Sequence, residues 1–129
     1  MSQNLALLSL LVPDYDAGIS FFVAVMGWDL LEDTDLGDGK RWVRVAPKGA
    51  QTAFLLAKAV GDQQIAAIGQ QGGGRVWLFL QTDDFAADYA AMSAKGVVFE
   101  EAPRDEPYGQ VAVFRDPFEN RWDLIQFKG

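Results

Sequence analysis

An internal repeat constrains the fold of this sequence more than any other feature. Residues 7–59 resemble residues 77–128, first at an offset of 70 residues and then, after a slip of one residue, at an offset of 69. Past the slip, Gly27 lies over Gly96. The slip falls inside or just after a predicted helix, so it leaves the order of the elements unchanged. The chain is therefore expected to use one structural unit twice.

Each copy begins with a strand and a helix. The apolar runs at residues 5–12 and 76–82 are short enough for strands. Asp14 and Asp84 follow at positions that suit a helix N-cap, because an aspartate side chain accepts hydrogen bonds from the free N–H groups of a first helical turn. The next stretches carry apolar residues at helical spacing and end at a glycine, which is a common helix stop.

Three further strands are predicted after the helix in each copy. They comprise residues 28–33, 41–46 and 52–57 in the first copy and residues 97–101, 110–115 and 121–127 in the second. The sequence therefore predicts an α+β fold of two tandem βαβββ modules, residues 5–60 and 75–128, with a connector at residues 61–74 that holds one short helix. At 129 residues, half of them apolar, the chain is predicted to be a single domain, residues 1–129.

Charge and hydropathy argue against two classes of partner. The chain has 18 acidic and 11 basic residues, and its net charge of −7 repels nucleic-acid phosphates and anionic lipid. It has no apolar run of membrane-spanning length, and residues 1–4 lack the basic start of a secretory signal. We therefore expect no nucleic-acid or membrane partner, and a cytoplasmic location.

Cysteine and histidine are both absent from the sequence. Disulfides and thiol chemistry are thereby excluded, as are catalytic triads that need a histidine base. The usual ligand sets for zinc, iron and nickel cannot be built either, so only carboxylates, carbonyls and water could hold an ion.

Motifs at both ends of the chain resemble those of one family. They are residues 10–17, then a helix ending in Met26-Gly27-Trp28, and later Pro107-Tyr108-Gly109, Asp116-Pro117, Asn120 and the strand motif Asp123-Leu124-Ile125-Gln126. By these motifs the chain resembles the glyoxalase/bleomycin resistance/dioxygenase (vicinal oxygen chelate) superfamily. The resemblance implies that the two modules form a curled mixed sheet whose concave face holds the site.

The resemblance also implies where a metal would bind. The superfamily's metal enzymes draw ligands from the first and fourth strands of each module, and these positions fall at Leu7, Phe54, Trp77 and Asp123. Three of the four are hydrocarbon or aromatic, and one carboxylate cannot supply the several oxygen ligands of a hard cation. We therefore predict a member of the family without a metal and without any other cofactor.

Strand alternation then predicts which side chains line the concave face, because residues two apart point the same way. Val43 and Val45 are expected to pack on the helix, which leaves Trp42 and Arg44 on the cavity side. The expected result is an aromatic pocket with few polar groups, which is typical of a small-molecule site. The predicted ligand-binding residues are Leu7, Ser9, Trp42, Arg44, Phe54, Trp77, Phe79, Tyr108, Arg121 and Asp123.

Two of these residues have alternative interpretations. Asp123 can form a structural ion pair with Arg121 or Arg44, or it can lie buried without a cation, in which case its pKa rises and it becomes a candidate catalytic acid or base. Tyr108, in a Pro-Tyr-Gly loop, can contact a ligand or simply cap the loop. The aromatic side chains as a group can also fill the concave face as core.

Three functions follow from these alternatives. The leading hypothesis is a homodimeric protein that binds a cationic, aromatic or carbonyl-containing small molecule without metal, as the drug-sequestering branch of the family does. The second is a divergent lyase or isomerase, similar to lactoylglutathione lyase, in which Asp123 transfers a proton and Arg44 or Arg121 stabilises an oxyanion. The third is a non-catalytic structural or interaction subunit with a filled concave face.

Overall fold

The computed structural model describes residues 1–129 and divides into two units, Met1–Ile68 and Gly69–Gly129, here called unit 1 and unit 2. Each unit contains one mixed sheet and one main helix in the order strand, helix and further strands. The predicted α+β class with two βαβββ modules is confirmed. Whether the chain behaves as a single domain stays a prediction.

Unit 1 has a four-stranded sheet of order β1-β4-β3-β2. The β1–β4 pair is parallel and the other two pairs are antiparallel. Its elements are β1 (Leu7–Val12), α1 (Tyr15–Ile19), a π-helical segment (Ser20–Val25), β2 (Asp29–Gly37), β3 (Lys40–Ala46), β4 (Ala53–Lys58) and α2 (Gly61–Ala67).

Unit 2 repeats this plan in a five-stranded sheet of order β5-β9-β8-β6, with a short extra strand, β7, also paired to β8. The elements are β5 (Val76–Gln81), α3 (Phe85–Ala94), β6 (Val98–Phe99), β7 (Arg104–Glu106), β8 (Gly109–Arg115) and β9 (Arg121–Phe127). The predicted strand at residues 97–101 is shorter than expected, and β7 was not predicted. Its three charged residues carry no apolar alternation, so the pattern that identifies a strand is missing there.

Both main helices begin and end as the sequence predicts. The Asp14 carboxylate accepts a hydrogen bond from the Ala17 N–H at 2.7 Å, and the Asp84 carboxylate accepts one from the Ala87 N–H at 3.2 Å. Each helix is followed by a glycine with positive φ, as the left-handed position after a helix favours. The N-cap and helix-stop predictions are confirmed.

A π-helical segment explains the slip from an offset of 70 residues to one of 69 between the two copies of the repeat. The Met26 N–H donates to the Phe21 carbonyl at 2.9 Å, which spans five residues rather than the four of an α-helix. The equivalent helix of unit 2, α3, is a regular α-helix without this wider turn. Unit 1 therefore takes up its one additional residue inside the helix and keeps the same cap and stop as unit 2.

The main helix of each unit covers one face of its sheet. In unit 1 the helix packs closely, since a Cβ atom on Gly18 would lie only 2.8 Å from the Leu56 side chain. In unit 2 the helix and sheet share a run of ring contacts 4.5 to 6.0 Å between centroids, formed by Phe85, Tyr89, Phe99, Phe114 and Trp122. We call the opposite face of each sheet the inner face.

The longest helix of the chain, α3, has 10 residues. None of the helices combines the length and the apolar character that crossing a membrane requires.

Candidate functional site

The inner face of unit 2 is defined by the pairing of three strands. Phe79 on β5 is the register partner of Asp123 on β9, and Val113 on β8 is the partner of Asp123 on its other side. Because residues two apart on a strand share a face, Arg121 and Ile125 lie on this face as well. The predicted site residues Phe79, Arg121 and Asp123 are thus brought together on one surface.

Asp123 is buried at the centre of this face. Its relative exposure is 8%, and its Oδ1 atom has no hydrogen-bond partner in the protein. Burial raises the pKa of the Asp123 carboxyl, Arg104 opposes that rise through its charge, and Glu101 adds to it. A buried carboxyl without a hydrogen-bonded partner is rare, because leaving such a group unpaired has a large desolvation cost.

The arginines predicted as possible partners of Asp123 pair with other acids. Arg121 donates to both carboxylate oxygens of Glu100, each at 2.9 Å, and Arg44 pairs with Glu32 at 3.0 Å. Asp123 forms no ion pair within 4.0 Å. The structural ion pair that was one alternative for Asp123 is therefore absent, which leaves the alternative of a buried carboxyl without a directly paired cation.

We predict that Asp123→Asn changes the pH dependence of folding. A raised folded-state pKa means that the native protein holds this proton more tightly than the unfolded chain does. The corresponding stability is present below the unfolded-state pKa of about 3.9 and is lost as pH rises through the folded-state pKa. The free energy of unfolding of the variant should therefore rise relative to wild type between pH 3 and pH 7.

Urea unfolding at a series of pH values measures this difference, and the expected change is on the order of 1 kcal/mol, the low end of the cost of an unpaired buried polar group. Asp105→Asn is the matched control, since Asp105 is an exposed acid of the same unit. A difference between Asp123→Asn and wild type that stays constant over this pH range would contradict the assignment.

Trp77 lies beside the inner face at an irregularity in β5. The register between β5 and β9 shifts between Val76 and Leu78, so Trp77 has no ladder partner. The glycine-rich segment before β5 passes against it, and a Cβ atom on Gly72 would lie 2.5 Å from the Cβ of Trp77. Trp77 and Arg121 line a common cavity of about 300 Å³ with this segment.

A larger cavity of about 670 Å³ lies beside the β8–β9 turn and contains neither Asp123 nor Phe79. Glu100 and Arg115 line it, and they pair with each other at 2.8 Å. Because its charged groups already have partners, this cavity offers a ligand fewer free polar groups than the Asp123 surface, and we do not place the site there.

The inner face of unit 1 carries four of the predicted residues. Leu7 and Ser9 lie on β1, and Ser9 is the register partner of Leu55 on β4. Arg44 on β3 is also a partner of Leu55, and Trp42 lies two residues along the same strand with 37% exposure. Val43 and Val45 are fully buried on the other face, as the alternation predicts.

Phe54 is the exception, and its predicted place on the inner face is wrong. Its ring stacks on Trp28 at 5.8 Å between centroids and contacts Phe22 at 5.8 Å, so it belongs to the core beneath the helix. The inner-face residue of β4 is Leu55.

The error comes from a turn whose length differs between the units. Six residues, 47–52, join β3 to β4, whereas five, 116–120, join β8 to β9. The repeat offset therefore falls to 68 at the fourth strand, where Leu55 is equivalent to Asp123. A slip of one residue moves every side chain of a strand to the opposite face.

Tyr108 lies in the turn between β7 and β8 and is half exposed. Its backbone carbonyl accepts a hydrogen bond from the Lys128 N–H at 3.0 Å. This bond ties the turn to the residue after β9. It is made by the backbone, so the loop-capping alternative for the Tyr108 side chain stays a prediction. Whether the ring also contacts a ligand stays a prediction.

Sequence reasoning missed the ion pairs around Asp123. Arg104 pairs with Glu101 and Glu106, and Arg115 pairs with Glu100. Arg115 could have been placed by alternation along β8, since it lies two residues from Val113 on the same strand. Arg104 could not, because the strand that carries it was not recognisable.

Comparison with known proteins identifies the family. Residues 4–124 match the family described as Glyoxalase/Bleomycin resistance protein/Dioxygenase superfamily. The chain belongs to this superfamily. A superfamily member from Sphaerobacter thermophilus DSM 20745 also has a similar structure, with a TM-score of 0.76 over 97% of this chain and 98% of that chain at 24% identity.

Three further relatives resemble the chain over nearly its whole length. A protein of Shewanella frigidimarina (strain NCIMB 400) is 46% identical over 128 residues, which is 98% of this chain and 95% of the relative. The crystal structure of TnmS3, an antibiotic binding protein from Streptomyces sp. CB03234, is 34% identical with a TM-score of 0.79 and 98% coverage of both chains. That of UcmS2 is 25% identical with a TM-score of 0.83, and covers 97% of this chain and 98% of that chain.

The metal site of the superfamily does not fit the residues of this member. With Leu55 in place of Phe54, its four ligand positions hold Leu7, Leu55, Trp77 and Asp123. No group of three or more acidic side chains in the structure could hold a metal ion. The flanking partners of Asp123, Phe79 and Val113, offer no oxygen to a cation, so a hard metal ion would lack ligands there.

Proposed function

We propose that this superfamily member binds a small aromatic molecule on the inner face of unit 2 without using a metal. The observation that carries the proposal is the buried Asp123 carboxyl beside the exposed ring of Phe79. An unpaired polar group next to an accessible aromatic ring offers both a directional contact and an apolar surface. Small-molecule sites combine these two features.

The resemblance to TnmS3 supports this proposal. That protein is an antibiotic binding protein, and it shares 34% of its residues with this chain over 98% of both. We therefore infer that the ligand of this chain belongs to the size class of antibiotics. Trp77, which lies beside the inner face of unit 2, is the further aromatic side chain proposed to contact it.

A thermal-shift screen tests this function. A panel of aromatic antibiotics is added with and without EDTA, and at least one compound is expected to raise the melting temperature by mass action, equally in both conditions. Phe79→Ala should reduce that rise, whereas Phe127→Ala should not, because Phe127 lies about 13 Å further along the sheet from Asp123. A rise that disappears with EDTA, or the absence of any rise, would contradict the proposal.

Proton-transfer catalysis is a second candidate, favoured by the raised pKa of Asp123. Its test is a lactoylglutathione lyase assay without added metal, in which wild type would show turnover and Asp123→Asn would not. Arg121 and Arg44 are already ion-paired, so neither is free to stabilise an oxyanion as first expected. For this reason we place binding ahead of catalysis.

Homodimer formation is part of the same proposal and rests on the family resemblance. Size-exclusion chromatography with light scattering should give twice the mass of one chain. A monomer mass at micromolar concentration would remove this part of the proposal and leave the binding function untouched.

A further inference from the structure

The inner face of unit 2 has an unequal number of acidic and basic groups. Its three guanidinium groups, on Arg104, Arg115 and Arg121, pair with Glu100, Glu101, Glu106 and the turn residue Glu119, and Asp123 is a fifth carboxyl group beside them. Every arginine has a glutamate partner at 2.6 to 2.9 Å, and Asp123 is the acid left without one. The carboxyl groups here outnumber the guanidinium groups, and Asp123 has no cationic partner.

The side chain next to this acid suits a cation as well. Phe79 is the strand partner of Asp123 and is 63% exposed, so much of the side chain is accessible. A cation near an aromatic face is attracted by the negative charge distribution of the ring. Asp123 and Phe79 thus favour the same kind of group at the same place.

We propose that the ligand bound at this face carries a protonated amine on an aromatic body, with the amine directed to Asp123 and the aromatic body against Phe79. The inference rests on the proposed binding function and specifies the chemical class of the ligand. It names an organic cation because an ammonium group needs few oxygen acceptors, whereas a hard metal ion needs several.

An anionic ligand would be disfavoured at this face. The arginines of this face would have to leave their glutamates to bind it, and the chain as a whole carries a net charge of −7. A neutral ligand would leave Asp123 without a cationic partner. Because the Oδ1 atom of Asp123 is buried, the proposal requires a side chain beside it to move when the amine binds. Phe79, the exposed strand partner of Asp123, is proposed to make this change of rotamer.

Three probes with one ring system and different charges test this inference. They are 1-naphthylmethylamine, 1-naphthalenemethanol and 1-naphthoic acid, which are cationic, neutral and anionic at pH 7. Each is titrated into the full-length protein labelled with ¹⁵N, and amide signals near Phe79 and Asp123 report binding. The amine is expected to bind roughly tenfold more tightly than the alcohol, the gain of a charge-assisted hydrogen bond, and the acid should bind most weakly.

Matched variants assign the preference to one carboxyl. Asp123→Asn should bring the amine and the alcohol to within about twofold of each other, since the charge-assisted bond is then lost. Asp105→Asn changes the net charge by the same amount at an exposed position and should keep the tenfold preference. Phe79→Leu, at an exposed position, should weaken all three probes without requiring a change in fold.

The outcomes separate the two proposals. If the alcohol binds wild type as tightly as the amine, or if Asp123→Asn keeps the preference for the amine, the inference about the cation is wrong while the binding function stands. If none of the three probes moves the signals near Phe79 and Asp123 while an aromatic antibiotic still raises the melting temperature, the inference about the amine fails and the binding function stands. If no antibiotic raises the melting temperature either, both proposals fail.

Discussion

Phe54→Ala is expected to destabilise the protein by about 3–5 kcal/mol, as large-to-small substitutions of buried aromatic residues do. Phe54 is 7% exposed and lies against both Phe22 and Trp28. Its truncation would remove the ring from between the helix and the sheet and leave a cavity that rigid neighbours fill only in part. Urea unfolding followed by tryptophan fluorescence measures the loss.

Leu55→Ala is the matched control for this substitution. Leu55 is the next residue on the same strand, points to the inner face and is only partly buried. Its truncation should cost about 1 kcal/mol, because a partly buried side chain loses less apolar burial than a fully buried one. A larger loss of unfolding free energy for Leu55→Ala than for Phe54→Ala would indicate that Phe54 lies on the inner face. That result would contradict the strand register of β4.

The position of Phe54 shows which structural features an internal sequence repeat can predict and which it cannot. The sequence alone identified the caps at Asp14 and Asp84 and the alternation on β3, because each depends on neighbouring residues only. Which side chains of β4 point to the inner face depends on the length of the preceding turn. A turn of glycine and polar residues gives no signal of its exact length. One additional residue in that turn was enough to move every side chain of β4 to the face opposite the predicted one.

The candidate site was predictable only in part for a related reason. Phe79 and Asp123 were placed on one face because strand alternation is local. Which arginine pairs with which acid could not be predicted, since a long flexible side chain reaches several neighbours and Glu100 and Glu101 compete for them. The isolation of Asp123 is a property of the whole face, so it appeared only when all the pairs were known.

Asp116→Ala is expected to cost on the order of 4 kcal/mol. The Asp116 carboxylate is 2% exposed and accepts four hydrogen bonds, from the backbone N–H groups of Phe118 and Asn120, the Asn120 Nδ2 and the Trp122 Nε1, at 2.9 to 3.0 Å. Each buried donor left without an acceptor costs about 1–3 kcal/mol, partly offset where water enters. Burial raises the pKa of this carboxyl and its donors oppose the rise.

Glu119→Ala is the control from the same turn, because Glu119 is an exposed acid whose ion pair with Arg115 lies in solvent. Its loss should cost less than about 1 kcal/mol.

The Asp116 turn joins β8 to β9 between Arg115 and Arg121, the two arginines that hold Glu100. A loose turn would release these arginines near Asp123, so Asp116→Ala should also weaken amine binding. Equal stability losses for the two variants would show that the four hydrogen bonds do not organise this turn, and the link from the turn to the Asp123 site would then be wrong.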